Sequence, residues 1–182
     1  NESSAASDVY KRQIGISVFD VITAEVNNSG EIISAGDSMA SGVSFLDVET
    51  AFLDNSGIIS SSGIAVESLL LEASSPTLTV ITNSGLISGD ANAIVISGGA
   101  AHITNNGEIV GDVVLGDEDD SFINNGQING DVDLGLGDDS YSQNMASQVA
   151  NTVDGGDGTD TLSFNVETGE SEIFDMDMTS FI

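Results

Sequence analysis

One corner recurs five times in this chain, and it constrains the fold more than any other feature. It reads "EVNNSGEIIS", "FLDNSGIISS", "VITNSGLISG", "HITNNGEIVG" and "FINNGQING". Aligned on the Asn two residues before the Gly, the copies fall at Asn28, Asn55, Asn83, Asn105 and Asn124, spaced by 27, 28, 22 and 19 residues. Periods in this range are the signature of stacked repeats. The columns around the corner keep phase. Two residues before the Asn stand Val26, Leu53, Ile81, Ile103 and Phe122; two after it stand Gly30, Gly57, Gly85, Gly107 and Gly126; four after it stand Ile32, Ile59, Ile87, Ile109 and Ile128. The position just before the Ile column varies between Glu, Ile, Leu and Gln.

Side chains on a strand alternate faces with period 2. The apolar and Asn columns share parity, so both point inward; Gly turns the chain, and Ile continues the interior on the next side. The variable column faces water. A buried Asn needs partners, and identical asparagines one strand spacing away, ~4.8 Å, supply them. Further β-rich runs follow the corners: "GIAVESLLLEA", "NAIVIS", "GDVVLG" and "GDVDLG". Val113 and Leu115 match Val132 and Leu134 one repeat later. About three short strands per repeat predict an all-β fold: a parallel, right-handed, three-sided β-helix solenoid of about six to seven coils. A β-sandwich of hairpins would not hold three columns in one phase. The first two coils are longer and predict loops, as around "SLLLEASSPT". A solenoid buries its faces only by stacking, and its ends need caps.

The charge narrows the function. The chain of 182 residues carries 30 Asp and Glu against 2 Lys and Arg, a formal net charge of −28. Such a polyanion cannot neutralise phosphates, which excludes nucleic acid, and anionic membrane surfaces are disfavoured for the same reason. Divalent cations or cationic partners are favoured, beside the simpler reading of solubility in a salty extracellular medium. No cysteine is present, which removes disulfides, thiolate metal sites and cysteine nucleophiles. No apolar run approaches the ~20 residues of a membrane span. Both basic residues, Lys11 and Arg12, lie in residues 1–13, which read as a non-native or disordered tail. Residues 14–165 read as the β-helix. Residues 166–182 read as an acidic C-terminal cap or the lead into further sequence, and the whole reads as part of a longer chain.

The C-terminal half contains three acidic turns, "LGDEDDSF", "LGLGDDSY" and "GGDGTDTL". They bring Asp120, Asp139 and Asp160 into register, one coil apart. Stacked like charges repel, the more so when partly buried. A Ca2+ ion, which takes six to eight oxygen ligands, would reverse the sign. Its ligands would be Asp120, Asp139 and Asp160, with Asp119, Asp138 and Asp157 as further candidates and turn carbonyls from Gly137 and Gly156. The alternative is solvated turns, with Asp chosen for its turn chemistry.

These patterns resemble the passenger regions of bacterial autotransporters and related β-helical adhesins. The resemblance spans residues ~26–165. The turn "GGDGTDTLS" is similar to the calcium-binding RTX nonapeptide, although that family repeats it about every nine residues and here the spacing is a whole coil. The resemblance implies a secreted or bacterial cell-surface stalk or adhesin segment; the residues read as non-catalytic, and calcium stabilisation stays open beside the solvated-turn reading. Its partner would be a surface glycan or protein, and this segment would not insert in a membrane.

The alternative is a polysaccharide lyase or hydrolase of the β-helix class, which acts through clustered Asp residues and, in most lyases, a basic residue. Asp138 and Asp139 form a pair. However, residues 14–182 hold no Lys or Arg to bind an acidic sugar, and His102 reads as an outward surface residue. An ice-binding solenoid would need a regular Thr array, and "TLTVIT" and "TDT" are isolated.

Overall fold

The structure, a computed structural model, describes residues 3–6, 15–36, 40–70, 77–144, 148–149 and 151–165. The acidic C-terminal segment 166–182, most of the 1–13 tail and the centre of the expected loop, 71–76, lie outside the described residues. Among the described residues, seventeen strands form one continuous sheet of about six turns, no helix is present, and the strand pairings are parallel.

In chain order the strands are β1 (Ser3–Ala6), β2 (Ile16–Asn28), β3 (Glu31–Ser34), β4 (Ser41–Asn55), β5 (Ile58–Ser61), β6 (Ile64–Leu69), β7 (Leu78–Asn83), β8 (Leu86–Ser97) and β9 (Ala100–Asn105). They continue as β10 (Glu108–Val114), β11 (Ser121–Asn124), β12 (Gln127–Asn129), β13 (Val132–Asp133), β14 (Ser140–Asn144), β15 (Gln148–Val149), β16 (Val153–Asp154) and β17 (Thr161–Asn165). Long strands such as β2, β4 and β8 wrap round a corner and serve two sides of the coil.

The pairings sort these strands into three sides. The corner side stacks the ends of β2 and β4 on β7, β9, β11, β14 and β17. The side after the corner stacks β3, β5, the start of β8, the start of β10, β12 and β15. The third stacks the start of β2 and β4 on β6, the end of β8, the end of β10, β13 and β16. Within the N-terminal tail, β1 lies parallel to the corner side, Ser3 opposite Ala24.

The registers place like residues on like. Ile59 pairs Ile87, and Ile87 pairs Ile109; all three are fully buried. Together with Leu53, Ile81, Ile103 and Phe122 they form one continuous apolar core. Ile, Val and Leu suit this geometry because both faces of each turn's interior are closed by neighbours, and branched side chains pack well on a pleated surface. Phe122 and Tyr141 stack one coil apart with ring centroids at 5.5 Å, so neither is a surface platform.

The Gly column has a stacking reason. A Cβ on Gly107 would overlap the carbonyl oxygen of Gly85, and one on Gly126 that of Gly107. The corner backbones approach too closely for any side chain. The opposite corner, between the third side and the corner side, changes along the chain. Coils one and two turn on single left-handed residues, Asp20 (φ 53°) and Asp47 (φ 52°); a later coil uses Gly98 and Gly99; the last ones use Gly135, Gly137, Gly156 and Gly158, all at positive φ. Thus the acidic Gly-Asp turns are a late variant of a corner that every coil must make.

Candidate functional site

Two polar columns run through the interior of the corner side. The first is the asparagine ladder. Asn28, Asn55, Asn83, Asn105 and Asn124 are buried, the last four completely. Each Nδ2 donates to the Oδ1 of the next Asn, at 2.7, 2.8, 2.9 and 2.9 Å in order. The same nitrogen also donates to a backbone carbonyl of the next coil, for example Asn83 to Glu108 O at 3.1 Å. Oδ1 of Asn28, Asn105 and Asn124 further accepts its own corner's Gly N–H, each at 3.2 Å. The amide is therefore satisfied at both ends, as a buried amide must be. The ladder ends by substitution: Asn124 donates to Gln143 Oε1 at 3.2 Å, and Gln143 also accepts the Tyr141 hydroxyl at 2.6 Å.

The second column begins as Ala24, Ala51, Thr79 and Ala101 and turns acidic in the last coils, as Asp120, Asp139 and Asp160. Asp120 and Asp139 are only 3% and 1% exposed, so these two side chains point into the solenoid. Each carboxylate reaches back one coil to a backbone N–H: Asp120 Oδ1 accepts from Ala101 at 2.6 Å, Asp139 from Asp120 at 2.7 Å, and Asp160 from Asp139 at 3.0 Å. Their second oxygens differ. Oδ2 of Asp120 and Oδ2 of Asp139 are buried with no hydrogen-bond partner. Burial pushes the Asp120 carboxyl up to about 7; the charges of Asp139 and Asp119 add to this, and the Ala101 and Gly116 N–H groups oppose it. Asp139 is also raised, chiefly by burial, with Asp160, Asp119 and Asp138 adding.

The other candidates lie outside. Asp119 and Asp138 are exposed and form an outer ladder of opposite sense: Asp119 Oδ1 accepts the Asp138 N–H at 2.8 Å, and Asp138 Oδ1 the Thr159 N–H at 2.9 Å. Asp157 is exposed; its backbone bridges Gly135 and Gly137. Gly156 follows the inner turn, its N–H held by Asp154 Oδ1 at 3.1 Å. The Asp138–Asp139 pair does not present two carboxylates on one face, since Asp138 is exposed and Asp139 buried. His102 is exposed on the corner side, between Val80 and Ser121.

A third acidic ladder escaped the sequence reading. Asp112 Oδ1 accepts the Asp131 N–H at 2.9 Å, and Asp131 Oδ1 accepts both the N–H and the hydroxyl of Thr152, at 3.0 and 2.8 Å. These bonds hold the Asp131 carboxyl below its ordinary range. The signal was present: Asp112 and Asp131 share the 19-residue spacing of the neighbouring coils.

Among the described residues, no group of three or more His, Cys, Asp or Glu side chains is placed to hold a metal ion. Calcium also takes carbonyl oxygens, and Asp120 and Asp139 each offer one buried Oδ2 without a hydrogen-bond partner. No protein-family model matches the chain, and no curated protein or solved structure matches it significantly.

Proposed function

We propose that this chain is a rigid, non-catalytic stalk or adhesin segment of a longer secreted or bacterial cell-surface protein. One observation carries the reading: the coils are tied to each other, coil by coil, by side-chain ladders that use their polar groups on neighbouring backbone and amides. About six turns at ~4.8 Å each make a rod of roughly 29 Å, and nearly all of its parts act along that axis. The extreme negative charge keeps such a rod soluble and separate in a saline exterior. The test has two arms. Antibody labelling and protease shaving of intact source cells should find the segment outside the cell, and the purified protein should turn over neither neutral nor acidic polysaccharides. Labelling only after lysis would overturn the location, and turnover would favour the lyase or hydrolase alternative.

A second reading concerns calcium. The unpartnered buried oxygens of Asp120 and Asp139 favour it, since an anionic oxygen without a partner inside a protein is costly. Successive members of the column, Asp120 with Asp139 or Asp139 with Asp160, would hold an ion between coils with turn carbonyls such as those of Gly137 and Gly156. Asp119, Asp138 and Asp157 would lie on its solvent side. The bound ion would supply charge neutralisation and cross-linking of successive turns, with no chemistry of its own.

A further inference from the structure

We propose that the outward side chains of β7, β9, β11, β14 and β17 form a docking strip for an extended, uncharged polysaccharide; this rests on the surface-exposed reading above. In a chain with 30 acidic residues, these five consecutive strands ("LTVITN", "AAHITN", "SFIN", "SYSQN", "TLSFN") contain no Asp, Glu, Lys or Arg. Their registers stack them directly, Thr82 on Thr104 and Ile123 on Ser142 in one outward column. The other outward column starts at Val80 and His102 and continues in Ser and Thr. Hydroxyls both donate and accept, which matches the hydroxyls of a sugar chain.

Charge selects the partner. The turns leading into β11 and β14 place the exposed acids Asp119 and Asp138 along one border of the strip, so an anionic polymer is repelled, and no Lys or Arg lies on the strip to hold one. Size argues against a protein partner. Five strands at ~4.8 Å span about 19 Å, and the two outward columns stand about 7 Å apart. Even with margins this is a few hundred Å², well below the roughly 800 Å² per partner of a stable protein interface. A linear polymer laid along the coil axis needs no more. At the N-terminal end, just beyond the uncharged strands, Phe52 is 41% exposed and shares a shallow groove with Val80, Thr82 and the acids Glu25 and Asp54, so a sugar ring can pack on it while an anion is repelled.

The experiment uses the purified chain, insoluble cellulose and chitin as uncharged polymers, and polygalacturonate as the acidic comparator. Co-sedimentation should retain the protein on at least one uncharged polymer, and polygalacturonate should not compete. The double variant Thr104→Glu/Ser142→Glu places charge at outward positions and should fold as the parent by circular dichroism. It should bind at least tenfold more weakly. Three results each overturn the proposal: no retention on either uncharged polymer, equal retention of the charged variant, or competition by polygalacturonate. Sedimentation equilibrium covers the other occupant; a dimer of the parent that the variant dissolves would mean the strip pairs with a second copy, which also overturns it. Failure here leaves the stalk reading standing, because that reading is tested by cell-surface labelling and turnover.

Discussion

Oδ1 of Asp139 accepts the backbone N–H of Asp120 at 2.7 Å, while its Oδ2 lies buried without a partner. The acidic column is thus half satisfied: backbone donors fix its geometry, and its remaining charge is left in the interior. Protons or cations are the two species that can relieve it.

The pH dependence follows from the proton. The Asp120 carboxyl sits at about 7 in the folded chain against 3.8 ordinarily, and Asp139 is shifted the same way, in both cases chiefly by burial. The folded state binds more protons than the unfolded one between these values. This contribution to stability is complete below about pH 4 and is lost as pH rises through about 7, with a slope of up to about 1.4 kcal/mol per pH unit for each proton. Urea denaturation in EDTA from pH 4.5 to 8 should show falling stability, and Asp120→Asn, which keeps an acceptor for the Ala101 N–H, should flatten the curve and stabilise the chain at pH 8. An unchanged slope in the variant would contradict this.

Calcium should stabilise the C-terminal coils more than the N-terminal ones, because the inward acids begin at Asp120. Binding to the folded state alone adds about 2.7 kcal/mol at a hundredfold excess over Kd. Thermal melts with Ca2+ should exceed NaCl at matched ionic strength, which controls for screening of the −28 charge, and Asp139→Asn should lose the difference. Equal midpoints in Ca2+ and NaCl would leave the acidic turns as hydrogen-bonded, solvated corners.

The asparagine ladder predicts a gradient of mutational cost. Asn83→Leu strands the Asn55 amide donor on one side and the Glu108 carbonyl on the other, at about 1–3 kcal/mol for each buried orphan. Asn28, the first rung, is 7% exposed and, among the described residues, has a ladder neighbour on one side only. Asn28→Leu should therefore cost about half as much in the same denaturant series. Equal costs would mean that the rungs act independently.

The Gly column predicts a steric effect without any change in polarity. Gly107→Ala pushes a methyl into the Gly85 carbonyl, whereas Gly36→Ala meets, among the described residues, only the Ala40 Cβ at 3.7 Å. The first should cost on the order of 2 kcal/mol or more and the second almost nothing. Paired melting curves check this.

The fold was legible because its signal is columnar: Ile59, Ile87 and Ile109 recur at one offset from the corner, and only coils stacked in parallel can hold that phase. The inward turn of Asp120 was legible in principle and overlooked. It stands two residues before Phe122 and four before Asn124, so it shares their parity. Reading it as a turn residue hid that it replaces Ala101 in a core column. The positive-φ corners at Asp20 and Asp47 had no such signal, since a lone Asp in a β-rich run gives no sign of which side of the coil it closes. The hydroxyl strip was missed because the Thr and Ser residues are scattered in sequence and align only once the coils are stacked.

Coil stacking itself can be read from one cross-link. The chain has no cysteine, and Asn125 Nδ2 meets Asn106 Oδ1 at 3.0 Å on the outside of adjacent corners. One strand spacing, ~4.8 Å, lies within the Cα separation a disulfide bridges. On mild oxidation Asn106→Cys/Asn125→Cys should close an intramolecular disulfide, while Asn106→Cys/Asp131→Cys, which pairs two different corners, should stay reduced. A reduced first pair, or a second pair that closes as fast, would contradict the parallel stacking of identical corners.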